Sequence, residues 1–121
     1  MNQKEFTDVV KRTESPQFNI SLVNPRLLHA VMGLSTESNE LLDALKKTIF
    51  YGKQLDLVNL EEEGADIAYY LFLMMDSVGI DWDIMLNKVK LKLEARYPEK
   101  FTTDNALNRD LEKERKILEN N

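Results

Sequence analysis

Apolar residues recur every three or four positions after Pro25, and this spacing restricts the fold more than any other feature of the sequence. On an α-helix they form a single stripe, made of Leu27, Val31, Leu34, Leu41 and Leu45. Asn24 can cap this helix and Pro25 suits its first turn, so we predict a helix that runs to about Ile49. No segment alternates convincingly between apolar and polar residues with the period of two that a half-buried strand requires. The sequence therefore predicts an all-α fold that resembles a four-helix bundle.

Further helices are predicted on both sides of this one. A short first helix covers residues 3–13, and a third helix, which begins near residues 57–59, ends at Gly79. Over residues 67–75 the third helix is apolar almost all round, so we expect it to be buried on most sides. Asp81 can cap a fourth helix that runs to about Arg96.

The length of the chain is that of one domain, which we assign to residues 1–101, followed by a charged helical extension over residues 102–121. In the extension, Leu107, Leu111 and Leu118 share one face of a predicted helix. A chain of this size buries a limited share of its surface, so burial against a second copy would stabilise it. We therefore expect an assembly of at least two subunits.

The composition limits the classes of function. The chain has 121 residues, a net charge of −5 and no cysteine. Without cysteine, disulfides, thiolate nucleophiles and Cys-based zinc or iron–sulfur sites are excluded. The negative charge argues against duplex nucleic acid as a partner, because phosphate binding needs a basic face. The N-terminus lacks the apolar run of a signal peptide, and the longest apolar run is too short for a membrane span. These features predict a cytoplasmic protein.

Two pairs of carboxylates have the same three-residue spacing, Glu37 with Glu40 and Glu63 with Asp66. At this spacing both members of a pair project from one side of a helix. The short connection between the second and third helices favours antiparallel packing, in which the four carboxylates can converge. Carboxylates at short range repel one another, and a hard divalent cation with oxygen ligands removes this repulsion. The spacing therefore predicts a carboxylate-bound divalent metal between the helices; Mg²⁺ suits such ligands, and Mn²⁺ could replace it.

Several basic residues near these pairs could bind phosphate oxygens: Lys46, Lys47, Lys53, Lys92 and Arg96. A single acidic pair on a helix is more often a solvated face than a ligand set, because Glu and Asp are usually exposed. Two pairs beside apolar stripes on adjacent helices favour the metal site. His29 taken alone is better explained as a partly buried polar residue, and Tyr70 as a core residue with its hydroxyl at the rim. Spacing and periodicity name no substrate.

The two acidic pairs and their flanks resemble the MazG-like all-α nucleoside triphosphate pyrophosphohydrolases, most closely the short single-domain bacterial and phage type. The hallmark of that family is ExxE, a gap and then ExxD, and this chain has ESNE and EGAD. The resemblance covers residues 12–101, including the segments RLLHAVMGL, KKTIFYGKQLD, LEEEGADIAYYL and KLEARYP. The chain departs from the family's common GEAGE and EELGD forms, with TESNE and EEEGAD, and these departures bear on specificity while they retain every acidic residue.

The resemblance implies Mg²⁺-dependent hydrolysis of a nucleoside triphosphate between the α and β phosphates, which yields a monophosphate and pyrophosphate. It implies that all four carboxylates hold the metal and that Glu40 or Glu37 acts as the catalytic residue that polarises the attacking water. The residues that match the family's nucleotide pocket and phosphate-binding positions are His29, Lys47, Tyr70, Lys92 and Arg96. We also predict that Lys53 binds the substrate, because its positive charge suits phosphate oxygens. Family members form dimers, or tetramers built from dimers, so a homodimer or homotetramer is expected.

Two other functions compete with this hypothesis. A di-iron carboxylate bundle also uses convergent glutamates, but it needs Glu-x-x-His pairs, and the single histidine of this chain, His29, is not in such a pair. A non-catalytic helical module for nucleotide binding or oligomerisation would keep the fold and lose turnover. The intact carboxylates count against that module, and pyrophosphate release with and without Mg²⁺ would distinguish the two functions.

Overall fold

A computed structural model describes residues 2–120, and within them the chain folds into helices without strands. A 3₁₀ turn at Ile20–Leu22 accompanies the α-helices α1 (Gln3–Thr13), α2 (Pro25–Tyr51), α3 (Leu57–Val78), α4 (Trp82–Arg96), α5 (Thr103–Leu107) and α6 (Leu111–Glu119). The all-α prediction is confirmed, and so are the predicted bounds of α1, α3 and α4. Met1 and Asn121, the outer limits of the two predicted segments, lie outside the described residues.

Local signals explain where the longest helices begin and end. The side chains of Asn24 and Asp56 accept hydrogen bonds from N–H groups in the first turns of α2 and α3. Gly52 and Gly79 end these two helices with φ of 65° and 70°. Glycine adopts this left-handed conformation without the steric cost of a side chain, so both helices stop where a glycine is available.

The helices α2 and α3 form an antiparallel pair, as predicted from their short connection. Two polar contacts join the start of α2 to the end of α3. The side-chain amide of Asn24 donates to the carbonyl of Ser77 at 2.9 Å. The guanidinium of Arg26 donates to the carboxylate of Asp76 at 2.6 Å. These contacts set the register in which the middles of the two helices face each other.

Small side chains on α2 allow the two helices to approach closely. Ala30 is fully buried and Gly33 is buried, both on the side that faces α3. The ring of Tyr70 lies so close to Gly33 that a Cβ atom at this position would overlap it. The missing side chain of Gly33 is therefore what allows Tyr70 to lie against the backbone of α2.

The C-terminal segment is held to α4 by a buried ion pair. Glu114 is 5% exposed, and its carboxylate accepts hydrogen bonds from Arg96 at 2.6 and 2.7 Å and from Arg109 at 2.6 Å. These hydrogen bonds, first that of Arg96 and then that of Arg109, lower the pKa of Glu114 to about 2. The sequence predicted one helix through this segment, which is wrong, because residues 108–110 interrupt it and Asp110 caps a separate α6.

Many large apolar side chains are exposed in the single chain. Phe72 of α3 is 52% exposed, and the buried residues of α3 are Glu63 and Met75. The expectation that α3 is buried on most sides is therefore wrong within one chain. At the opposite end of α2 from its cap, Phe50 is 75% exposed. No helix within residues 2–120 is long and apolar enough to cross a bilayer.

Candidate functional site

Three carboxylates from α2 and α3 converge between the two helices. Glu37, Glu63 and Asp66 each offer one oxygen, and these three oxygens lie within 4.8 Å of one another. Glu63 is buried, Glu37 is half-buried and Asp66 is exposed, so the cluster is open to solvent on one side. Mg²⁺ binds hard oxygen donors and keeps several waters, so it needs carboxylates and an open face together. The donor set therefore fits a divalent cation of this class.

Glu40 lies beside this cluster, one turn along α2 from Glu37. Its pKa is raised above the ordinary value, first by the negative charge of Glu63 and then by that of Glu37. Glu40 is exposed, and with Glu63 it lines a cavity next to the cluster. A carboxylate with a raised pKa accepts a proton more readily than an isolated glutamate does. The structure thus brings the fourth predicted carboxylate to the same region, on its solvent side.

The cavity beside Glu40 has a volume of about 340 Å³. Its wall comes from the last turns of α2, the connection to α3 and the first turns of α3. The charged and amide side chains in this wall are Glu40, Asp43, Lys47, Lys53, Gln54, Asp56, Asn59 and Glu63. Carboxylates suit a cation and lysines suit an anion, so this wall has the chemistry that a metal-bound phosphate requires.

Lys47 is held in the cavity wall by Asp43, one turn earlier on α2. Lys47 Nζ lies 2.6 Å from Asp43 Oδ2. Their hydrogen bond raises the pKa of Lys47 and lowers that of Asp43, so both groups keep their charges. Asp43 was not among the predicted site residues. Its four-residue spacing to Lys47 is the signal in the sequence that could have identified it.

Asn59 is a second site residue that was not predicted. Its Nδ2 donates a hydrogen bond to Glu63 Oε1 at 2.9 Å. Its backbone N–H donates to the side chain of Asp56 at 3.2 Å, which holds the first turn of α3 in place. Asn59 is half-buried in the cavity wall. The spacing of four residues between Asn59 and Glu63 is again the sequence signal that such a contact leaves.

His29 and Tyr70 contact each other across α2 and α3. Their ring centroids lie 5.6 Å apart at an interplanar angle of 71°, an edge-to-face arrangement. Tyr70 is half-buried and follows Asp66 by one helical turn, so its ring lies on the same side of α3 as the carboxylate cluster. The two rings form a surface separate from the wall of the cavity described above. Their predicted role in binding a nucleotide stays a prediction.

Neither of the two basic residues predicted on α4 lines the cavity beside Glu40. Arg96 is paired with Glu114 and lines a different cavity of about 230 Å³. Its side chain is 15% exposed, so contact with a phosphate would require it to exchange Glu114 for the new partner. Lys92 is half-buried on α4. The structure thus brings Lys47 and Lys53 to the carboxylates, and the phosphate contacts of Lys92 and Arg96 stay predictions.

Comparison with known proteins identifies one family. A family model described as phosphoribosyl-ATP pyrophosphohydrolase matches residues 3–92. This span contains the carboxylate cluster and the wall of the cavity beside Glu40, whereas Arg96 and Glu114 lie beyond it. No curated protein and no solved structure matches the chain. The match confirms the resemblance seen in the sequence, because this family and the MazG-like enzymes belong to one all-α superfamily.

Proposed function

Since the chain belongs to the phosphoribosyl-ATP pyrophosphohydrolase family, whose members hydrolyse phosphoric anhydride bonds, we propose that it is a Mg²⁺-dependent nucleoside triphosphate pyrophosphohydrolase. The substrate is a ribo- or deoxyribonucleoside triphosphate, cut between the α and β phosphates. The products are the nucleoside monophosphate and pyrophosphate. One observation carries this proposal, namely that Glu37, Glu63 and Asp66 converge from two helices beside a cavity that also holds lysines.

The proposed metal ligands are the oxygens of Glu37, Glu63 and Asp66, with Glu40 as the fourth carboxylate of the group. Mg²⁺ bound there would screen the phosphate charge and lower the pKa of a water molecule. Three carboxylate oxygens within 4.8 Å of one another are a donor set of the right chemistry for that ion. Mn²⁺ accepts the same ligands and is the expected substitute.

Glu40 is proposed to take the proton of the attacking water. It is exposed on the solvent side of the cluster and lines the cavity together with Lys47 and Lys53, so its carboxylate can reach a water molecule bound there. The water oxygen forms a bond to the α-phosphorus, and the bond from that phosphorus to the oxygen bridging to the β phosphate breaks. Pyrophosphate leaves with the bridging oxygen. Lys47 and Lys53, in the same cavity wall, would neutralise the charge that develops on it.

The direct test is pyrophosphate release from a panel of nucleoside triphosphates and phosphoribosyl-ATP, each measured with and without Mg²⁺. We expect release only with the metal. Glu40→Gln and Asp66→Asn should abolish turnover and leave the helical circular dichroism unchanged. Glu62→Gln, an exposed glutamate on the same helix as Asp66, is the matched control and should keep full activity. Nucleotide binding without release in the wild-type protein would instead support a non-catalytic module.

We further propose that the protein is a homodimer or a tetramer of dimers, and that it acts in the cytoplasm. The exposed apolar side chains at the junction of α2 and α3 support the assembly: Ile49, Phe50, Tyr51, Leu57 and Val58. Groups of large apolar side chains exposed in this way often mark a surface that another protein chain covers. A second copy would remove that surface from solvent and stabilise the fold.

A further inference from the structure

We propose that Asn59 is a positioning residue that orients Glu63 for metal binding. This inference rests on the proposed function, because it concerns a ligand of the proposed metal site. The amide Nδ2 of Asn59 donates to Glu63 Oε1 at 2.9 Å, one helical turn away on α3. A carboxylate has several acceptor positions, so Glu63 can accept this hydrogen bond and still offer an oxygen to a cation.

Glu63 needs such a partner because of where it lies. Its side chain is 6% exposed, and its carboxylate is close to those of Glu37, Glu40 and Asp66. A buried carboxylate without a hydrogen bond is costly, and repulsion from its neighbours would favour a rotamer that points away from them. The hydrogen bond from Asn59 opposes both effects and holds the side chain in the rotamer that joins the cluster.

The chemistry of the donor also suits a metal ligand. An amide is neutral, so it stabilises the ionised carboxylate without adding a positive charge that would compete with the cation. Lysine or arginine at this position would form an ion pair with Glu63 and weaken metal binding. Partners that hold a ligand's orientation in this way commonly decide how tightly a metal is bound.

Asn59 is itself fixed by the start of α3. Asp56 caps the helix, and its Oδ1 accepts the backbone N–H of Val58 at 3.0 Å and of Asn59 at 3.2 Å. Asp56 and Asn59 line the cavity together with Glu63. Asp56 therefore fixes the backbone of Asn59, and the side-chain amide of Asn59 in turn orients the carboxylate of Glu63.

The experiment measures Mn²⁺ binding to the full chain by calorimetry, without nucleotide. Asn59→Leu removes the donor and keeps the number and branching of the side-chain heavy atoms. Asn59→Ala removes it with the residue that favours a helix most. Both should bind Mn²⁺ about 10- to 100-fold more weakly than the wild type. Asn59→Gln keeps an amide that can reach one helical turn, so it should restore the affinity to within a few-fold.

Asn108→Ala is the matched control. It removes a hydrogen bond between residues that are also four positions apart, from Asn108 Nδ2 to Asp104 Oδ1 at 2.8 Å. Neither residue lines the cavity beside Glu40. Its Mn²⁺ affinity should equal that of the wild type. Pyrophosphate release gives a second readout: the activity of Asn59→Ala should recover as the metal concentration is raised, which the loss of a catalytic group would not allow.

The outcomes separate this inference from the function on which it rests. If Asn59→Leu and Asn59→Ala bind Mn²⁺ as tightly as the wild type while Glu63→Gln does not bind it, the positioning role is overturned and the metal site stands. The same conclusion follows if Asn59→Gln binds as weakly as Asn59→Ala. If the wild-type protein neither binds Mn²⁺ nor releases pyrophosphate, the proposed function and this inference are both wrong. Should Asn59→Leu fail to fold, Asn59→Ala decides the question.

Discussion

The substitution Gly33→Ala should destabilise the protein when residue 70 is tyrosine and stabilise it when residue 70 is alanine. Gly33 lies in the interior of α2, where alanine favours the helix over glycine by about 1 kcal/mol. The new Cβ, however, would overlap the ring of Tyr70. Forcing an extra carbon into a packed contact costs about 1–3 kcal/mol. The two terms oppose each other, and the larger one should win.

In the wild-type background we expect Gly33→Ala to destabilise the protein by about 0–2 kcal/mol, the difference between those two terms. Tyr70 is half-buried, so its ring can move partly aside, which favours the lower end of that range. In a Tyr70→Ala background the overlap is absent. The same substitution should then stabilise the protein by about 1 kcal/mol, because only the helix preference remains.

Urea denaturation followed by circular dichroism measures both backgrounds, at one fixed protein concentration because assembly shifts the apparent stability. The coupling between the two positions should be about 1–3 kcal/mol, which is well above the error of a double-mutant cycle. The substitution Gly33→Ala should lower the thermal midpoint of the wild-type protein and raise that of the Tyr70→Ala protein. Equal stabilisation by Gly33→Ala in both backgrounds would refute the close approach of Tyr70 to α2. It would also remove the reason given for glycine at this position.

Three further predictions concern the ion pairs and the apolar surface. Glu114→Gln should lower the thermal midpoint at pH 7. The difference from wild type should shrink as the pH falls from about 4.5 to about 2, because in this range Glu114 takes up a proton in the unfolded chain but not in the folded protein. Asp43→Asn should raise KM for the nucleotide by no more than about fivefold with kcat unchanged, since Lys47 loses a partner in an exposed ion pair. Phe50→Asp should shift the protein toward the monomer in analytical ultracentrifugation, because it places a charge on an apolar surface proposed to be buried in the assembly.

Each of these predictions has a control. Glu112→Gln changes an exposed glutamate of α6 that pairs with Lys116, and its midpoint should match the wild type from pH 7 downward. A Glu114→Gln protein with wild-type stability at pH 7 would contradict the role given to the buried pair. Lys47→Ala should raise KM at least as much as Asp43→Asn, and a larger effect of Asp43→Asn would mean that Asp43 acts by another route. Asn39→Asp adds a charge at an exposed polar position of α2 and should leave the assembly intact.

The parts of the structure that follow from local chemistry were predictable from the sequence. Asn24 and Asp81 cap helices, and Gly52 and Gly79 end them, so the helix bounds depend on neighbours along the chain. The approach of the carboxylates was also predictable, because a connection as short as residues 52–56 leaves two long helices little choice but to pack antiparallel.

Features that depend on distant partners were not predictable. Arg96 and Glu114 are 18 residues apart on separate helices, and neither residue carries a local signal for the other. The exposure of Phe72 could not be inferred from an apolar pattern, because that pattern indicates burial without telling whether the covering surface is in the same chain. Asn59 is a different case. Its four-residue spacing to Glu63 is present in the sequence, but a neutral amide at this spacing from a carboxylate does not by itself indicate a functional contact.

The origin of the cavity wall has a consequence for how this enzyme could change its preference among nucleotides. The acidic oxygens belong to the interiors of two long helices, whereas Lys53 and Gln54 belong to the five-residue connection between Tyr51 and Leu57. Insertions and exchanges in a connection are tolerated better than changes inside a helix. Selection could therefore change the residues proposed to contact the substrate while the proposed metal ligands stay the same, and a laboratory library confined to residues 53–55 would test this.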